Sequence, residues 1–487
     1  MKKFMFLSEL FEVNVNLFYK LVTENFPEIA PYIYTPHVGQ YCLKLHEVWR
    51  PKQALFYSLE DRAHIDEITS NWPRPEVDIV VVTDGGRILG LGDQGCNGIG
   101  IPIGKLALYV AGAGSDPRKV LPVQIDAGTN NVALRSHPLY MGLNRPRLQG
   151  EEYFQFVADV VSSIHRRWPK ALIQFEDFGT DNAFELLRRW QNQMLCFNDD
   201  IQGTGAVTLA CLMNAARSRG WRDLSQERVV IVGAGSAGLG ISDAVCSAMV
   251  KQCGMTLEEA RSHFYLLDIN GLLGTGRSDL TVDQRRYQRT DMRAGMNLAE
   301  VVAAVHPSTM IGVTGTANLF TEEILREVCA HCEKPLIMPM SNPTSKAECT
   351  LEQALERCHG KCIFASGSPF KDATKDGHTL VGNQCNNMYI FPALGLAACA
   401  CHATKVTDNM LYAAGMALSA QVTDEQVQRG QLFPSLANMR DISARIVVAV
   451  VRQAVEDGVA AMPEGCTNDE QLMQWARSKM WVPDTHH

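Results

Sequence analysis

Residues 227–240 read ERVVIVGAGSAGLG: a β-branched run, a glycine turn and the opening of an alanine-rich helix. Gly233, Gly235 and Gly238 have G-x-G-x-x-G spacing. In such a turn the first glycine makes the tight bend, the second lets backbone approach a pyrophosphate, and the third lets helix and strand meet closely. The helix N-terminus adds free N–H groups and partial positive charge. Glycine-rich loops alone are common; here the flanking strand and helix, and a following strand that ends in Asp268, give the loop its meaning. FYLLDING (264–271), STMIGVTGTA (308–317), PLIMPMSNPT (335–344) and KCIFASGSP (361–369) then read as strands closed by turns. Residues 199–387 are therefore expected to form a doubly wound dinucleotide-binding domain.

Upstream, residues 1–75 read as mainly helical, with a proline-marked loop at Pro31, Thr35 and Pro36. From 76 to 198 strands and helices alternate: DIVVVTD (78–84), a glycine-rich loop at 90–104 with a helix from about Ile103, VLPVQIDAG (120–128), a helical 152–168 and ALIQFED (171–177). Residues 388–487 return to helical spacing. The expected class is α/β: a Rossmann-type doubly wound domain, an N-terminal α/β domain, and C-terminal helices that return to the N-terminal lobe.

The chain has 487 residues, enough for two to four structural units. A net charge of −8 offers no general attraction to nucleic acid or anionic membrane. No apolar run approaches the roughly 20 residues that span a bilayer. Glu9 and Glu12 interrupt the start early, against a signal peptide. The fifteen cysteines lack small-domain spacing, so reduced thiols are expected.

Two strands finish in adjacent acids, Glu176-Asp177 and Asp199-Asp200. Burying carboxylates is costly unless something pairs them, and an oxygen-only set suits Mg²⁺ or Mn²⁺. Helix N-capping by Asp199 or Asp200 is the competing reading. Lys105, in GIGIPIGKLALYV, sits among apolar neighbours near a helix start. Desolvation and the helix dipole should lower its pKa, from about 10.4 to about 7.5 for a general base, which corresponds to roughly 4 kcal/mol; a snorkelling lysine is the alternative. Tyr34 reads first as packing, Arg87 as a surface arginine able to fork onto a carboxylate, and Asn342, Asn386 and Asn387 as turn residues. Asp268 suits ribose hydroxyls, whereas Arg277, Arg285 and Arg286 offer either a 2′-phosphate site or a solvated basic helix end.

Taken together, YTPHVG, VVTDGGRILGLGDQGCNGIGIPIGKL, LIQFEDF, FNDDIQGTGAV, GAGSAGLG, SNPTSKAEC and IFASGSPF resemble the signatures of the malic enzymes, in the family's order, from about residue 8 to about residue 460. The resemblance implies oxidative decarboxylation of L-malate to pyruvate and carbon dioxide. It implies that Glu176, Asp177 and Asp200 bind Mn²⁺ or Mg²⁺, that Lys105 is the general base and Tyr34 the general acid. Arg87, Asn342, Asn386 and Asn387 would hold malate, with Asp199 supporting Lys105. Gly233, Gly235, Ser236, Ala237, Gly238, Asp268 and Arg285 would contact the dinucleotide, joined by Arg87, Asp200 and Asn342. Because NADP-using members tend to carry a basic residue at the position matching Arg285, NADP is expected over NAD.

Three departures from the family pattern stand out. Several tens of residues that build subunit contacts usually precede the helix beginning near Phe4. Val13 stands where regulated members carry an anion-binding arginine. Ala317 and Asn318 replace a glycine-richer segment. A homodimer or homotetramer is expected, in the cytosol by default, or in mitochondria if an address lies upstream. The rival readings are a malolactic-type enzyme yielding lactate, a non-catalytic dinucleotide-binding subunit, and a metal-free hydroxy- or amino-acid dehydrogenase.

Overall fold

The structure, a computed structural model, describes residues 2–48 and 54–484. Residues 1 and 49–53 of the segment read as helical, and 485–487 of the C-terminal segment, lie outside the described residues. The chain divides into two compact units: residues 1–199, 388–414 and 435–487, and residues 200–387 and 415–434.

The first unit is built on a parallel sheet of five strands: β1 (Leu55–Ser58), β2 (Ile79–Thr83), β3 (Val120–Asp126), β4 (Leu172–Phe175) and β5 (Cys196–Asn198), in the order β1-β3-β2-β4-β5. β2 is buried at all five positions, as expected of a parallel strand covered on both faces. β1 lies inside the segment read as helical and corrects that reading: four residues at a sheet edge leave too short a pattern to register. The glycine loop gives way to helix at Gly100 rather than near Ile103, because Pro102 is tolerated in a first helical turn.

This helix, Gly100–Ala113, is buried at every position except Ile103 and ends at Gly114, whose φ of +71° is the left-handed cap that glycine takes without strain. An apolar surface all round demands cover on all sides. The helices Phe391–Ala400 and Met439–Glu456, the N-terminal helices and the sheet supply it. Ser443 Oγ (2.9 Å) and the Arg440 guanidinium (3.1 Å) donate to the carbonyls of Gly112, Ala111 and Val110, satisfying acceptors that a helix C-terminus leaves open.

The second unit holds a sheet of seven strands in the order β14-β11-β10-β9-β6-β7-β8: β6 (Val229–Val232), β7 (Phe264–Asp268), β8 (Gly271–Leu272), β9 (Thr309–Gly312), β10 (Leu336–Pro339), β11 (Ile363–Ser366) and β14 (Asn383–Gln384). A separate antiparallel hairpin joins β12 (Ala373–Lys375) to β13 (His378–Leu380). All pairs in the large sheet are parallel except β7 with β8. The strand order reverses between β6 and β9, which makes the C-terminal end of β6 a ligand crevice of the doubly wound type.

Arg219, at the C-terminal cap of the helix Thr204–Ser218, is buried against Glu227 (2.5 Å) just before β6. It also donates to the carbonyls of Lys334 and Ser308, while Ser308 and Thr309 donate to Glu227 Oε2. Cys329 and Cys358 form a disulfide, correcting the expectation that every thiol is reduced; the other thirteen cysteines are free. The helix Glu322–His331, which carries Cys329, packs against the helix Leu351–Arg357, which Cys358 caps, so a pairing invisible in their spacing arises from tertiary proximity.

Candidate active site

Parallel neighbours β4 and β5 pair Phe175 with Asn198, so both strands deliver their following acids at one edge of the sheet. Carboxylate oxygens of Glu176, Asp177 and Asp200 all lie within 4.8 Å of one another. Asp177 has a φ of +56°, a left-handed conformation that costs a non-glycine residue about 1–3 kcal/mol. Its carbonyl accepts from Arg87 N (3.0 Å) and its Oδ1 from Leu89 N (3.3 Å), which tie the acid to the turn after β2. Three carboxylates without nitrogen or sulfur fit a hard divalent cation. Asp199–Gly203 forms a wide π-type turn, and the next helix, Thr204–Ser218, has Gly203 as its N-cap with no side-chain cap bond.

Lys105 is 1% exposed and is ion-paired with Asp199 and with Glu176 (3.0 Å). Its ammonium lies over the rings of Tyr34 (5.3 Å) and Phe391 (4.4 Å). The expected fall in its pKa is corrected. Burial does oppose the charge, but Asp199 and Glu176 outweigh it and hold the amine protonated well above its ordinary value. Tyr34, buried at the C-terminal cap of the helix Phe26–Ile33, is pushed upward mainly by burial. Arg87 has an exposed side chain.

Two further residues join this cluster without having been singled out by sequence. Tyr109 OH donates to Gln174 Oε1 (2.5 Å), and Gln174 Nε2 donates to Glu176 Oε2 (2.7 Å), all buried. Signals for both existed: Gln174 is a polar residue inside an apolar strand, on the face of Glu176, and Tyr109 follows Lys105 by one helical turn.

In the second unit, Gly233 has a φ of +113°, and a Cβ there would sit 2.7 Å from Val313 O. A Cβ on Gly238 would sit 2.0 Å from Gly233 O, so only glycine lets the helix approach. Gly235 is the N-cap of the helix Ser236–Cys253, with Ser236 and Ala237 in its first turn. Ser236 Oγ is buried without a hydrogen-bond partner. A hydroxyl left open among the first-turn N–H groups of a long helix fits a pyrophosphate.

Asp268 closes β7 and is forked by Arg277 (2.6 and 3.1 Å). Arg286 is forked by Asp243 (3.0 Å), so two of the three arginines are already paired with acids. Arg285 is exposed and donates to the carbonyls of Leu280 and Ser278. Asn342 Oδ1 accepts from Ser368 Oγ (2.6 Å) beside Gly367. Asn386 is buried, and Asn387 Nδ2 donates to Thr204 Oγ1 (2.9 Å). Tyr34, Arg87, Lys105, Glu176, Asp177 and Asp199 thus belong to the first unit. Asn342, Asn386, Asn387 and the glycine loop belong to the second, which begins at Asp200, one peptide bond beyond Asp199.

The chain is similar to known proteins over nearly its whole length. Family models described as malic enzyme, N-terminal domain, and malic enzyme, NAD binding domain, match residues 11–191 and 201–455. The sequence is 43% identical to the hydrogenosomal malic enzyme of Neocallimastix frontalis, over 100% of this chain and 82% of that protein. It is 44% identical to the NADP-dependent malic enzyme of Dictyostelium discoideum (99% and 88%) and 41% identical to the NAD-dependent malic enzyme of Acinetobacter baylyi (99% and 85%). In fold it resembles the crystal structure of Entamoeba histolytica malic enzyme, with a TM-score of 0.65 and 23% identity over 93% of this chain and 80% of that one.

Proposed function

This chain belongs to the malic enzyme family, and from that premise we propose that it oxidises L-malate with a nicotinamide dinucleotide and releases pyruvate and carbon dioxide, dependent on Mn²⁺ or Mg²⁺. The observation that carries the reading is the convergence of Glu176, Asp177 and Asp200 at one sheet edge, with Lys105 ion-paired to Glu176 and Asp199. Glu176, Asp177 and Asp200 would hold the cation. Bound there, the cation would supply Lewis acidity and offset the Glu176 charge that otherwise keeps the proton on Lys105. Lys105 Nζ then receives the proton of the malate hydroxyl, and Asp199 keeps the resulting ammonium paired. Tyr34 OH, its proton retained by burial, protonates the enolate carbon left after decarboxylation. Arg87, Asn342, Asn386 and Asn387 orient the substrate carboxylates.

Gly233, Gly235, Ser236, Ala237 and Gly238 receive the pyrophosphate. NADP is the preferred dinucleotide on this reading, since Arg277 already neutralises Asp268 and Arg285 is the one of the three arginines bonded only to carbonyls. The relatives divide, one named NADP-dependent and another NAD-dependent.

A spectrophotometric assay with malate, each dinucleotide, and metal or chelator tests the proposal. Expected are reduced dinucleotide and pyruvate in equal amounts, abolished by chelator and restored by Mn²⁺. Turnover that persists in chelator, or lactate without net reduced cofactor, overturns it. Arg285→Gln should raise the KM for NADP more than that for NAD; an equal loss removes Arg285 from the argument.

A further inference from the structure

Among the described residues outside this site, two clusters bring a pair of imidazoles and a carboxylate within ligand distance: His46, Glu47 and His137, and His306, Glu327 and His331. The first has the wrong tautomers for a metal. The Asn97 amide donates to His46 Nδ1 (2.9 Å) and Leu139 N–H donates to His137 Nδ1 (3.2 Å), so each Nε2 carries the ring hydrogen. A ligating histidine needs its other nitrogen to donate instead.

The second cluster has no such obstacle. His306 caps the helix Leu298–Val305 in the left-handed conformation (φ 49°, ψ 67°), which histidine adopts more readily than most side chains. Glu327 and His331 stand one turn apart on the helix Glu322–His331, which packs against the first helix. Glu327 Oε1 lies 3.1 Å from His331 Nε2 and 3.9 Å from His306 Nδ1. The two rings stack with centroids 3.8 Å apart. His306 Nδ1 is buried and has no hydrogen-bond partner, although it faces a carboxylate, and a buried nitrogen left in that state calls for an explanation. Ligands on a tetrahedral ion with bonds of about 2.0–2.1 Å stand roughly 3.4 Å apart, so both histidine–carboxylate separations lie within about half an ångström of that spacing, and all three ligand atoms fall within 4.8 Å of one another.

We propose that His306, Glu327 and His331 bind one Zn²⁺ ion, solvent completing its coordination, and that the ion pins the end of the Leu298–Val305 helix to the Glu322–His331 helix. Two imidazoles and one carboxylate suit Zn²⁺, whereas the oxygen-only acids of the first cluster of strands suit Mg²⁺. The side chains are 38–42% exposed, so the ion has access from solvent.

The test is titration of the chelator-stripped full chain with Co²⁺, then displacement by Zn²⁺, in millimolar Mg²⁺. One equivalent of Co²⁺ should bind with the visible absorption of a low-coordinate nitrogen–oxygen site and without a thiolate charge-transfer band. His306→Asn, which keeps a residue tolerant of left-handed backbone, and His331→Ala should each weaken that binding at least tenfold. Turnover with Mg²⁺ should be unchanged. Absence of Co²⁺ uptake, uptake by either variant as tight as that of the unaltered chain, or a thiolate band would overturn the assignment.

Discussion

Gln174 shows how much of a reaction centre is fixed by groups that touch no substrate. Its amide spans Tyr109 and Glu176 inside a dry strand, so its loss strands a hydroxyl and a carboxylate together. Gln174→Leu should cost about 1–3 kcal/mol in urea unfolding. It should also weaken Mn²⁺ binding by roughly 10–100-fold, because an acid no longer held in orientation is a poorer ligand. Titration of Mn²⁺ by electron paramagnetic resonance measures the second effect, and dinucleotide affinity should stay constant. At this scale sequence conveyed position better than state. Lys105 was recognisable by its apolar surroundings, yet its charge depends on Asp199, 94 residues away, and on Glu176. Desolvation is written in the neighbouring residues; a counter-ion supplied by another strand is not.

The glycine loop behaves as one element. Gly238 brings the helix Ser236–Cys253 so close to β6 that a methyl group would sit 2.0 Å from Gly233 O, a backbone atom with nowhere to move. Gly238→Ala should cost about 1–3 kcal/mol of overpacking, felt as a 5–150-fold loss in dinucleotide affinity. Quenching of protein fluorescence by NADPH reads that loss, while Mn²⁺ affinity should be unaffected. Elements of this kind were the most legible, since β6, β7, β9, β10 and β11 are apolar runs punctuated by turns. β1, β14 and the β12–β13 hairpin escaped notice because two to four residues carry no period, and their partners, not their composition, make them strands. The wide turn at Asp199–Gly203 escaped for a related reason: acids before a helix look like caps whether or not they cap.

At the scale of the whole molecule, stability of the second unit leans on Arg219 and Glu227, an ion pair nearly without solvent that ties a helix end to the start of the sheet. Arg219→Met should destabilise the protein by about 3–5 kcal/mol, because it leaves Glu227 charged and buried, and adding Glu227→Leu should recover part of that. Urea unfolding followed by circular dichroism checks both values. The interleaving of the units has a different consequence, for the nascent chain. The first unit needs residues 388–414 and 435–487, whereas the second is complete at residue 434. At roughly 5–20 residues per second, a ribosome takes on the order of ten to fifty seconds between β5 and the end of the helix Met439–Glu456. Throughout that interval the apolar Gly100–Ala113 helix lacks its last covering partners, so the unit translated first matures last, and its exposure to chaperones is set by the length of the unit inserted within it.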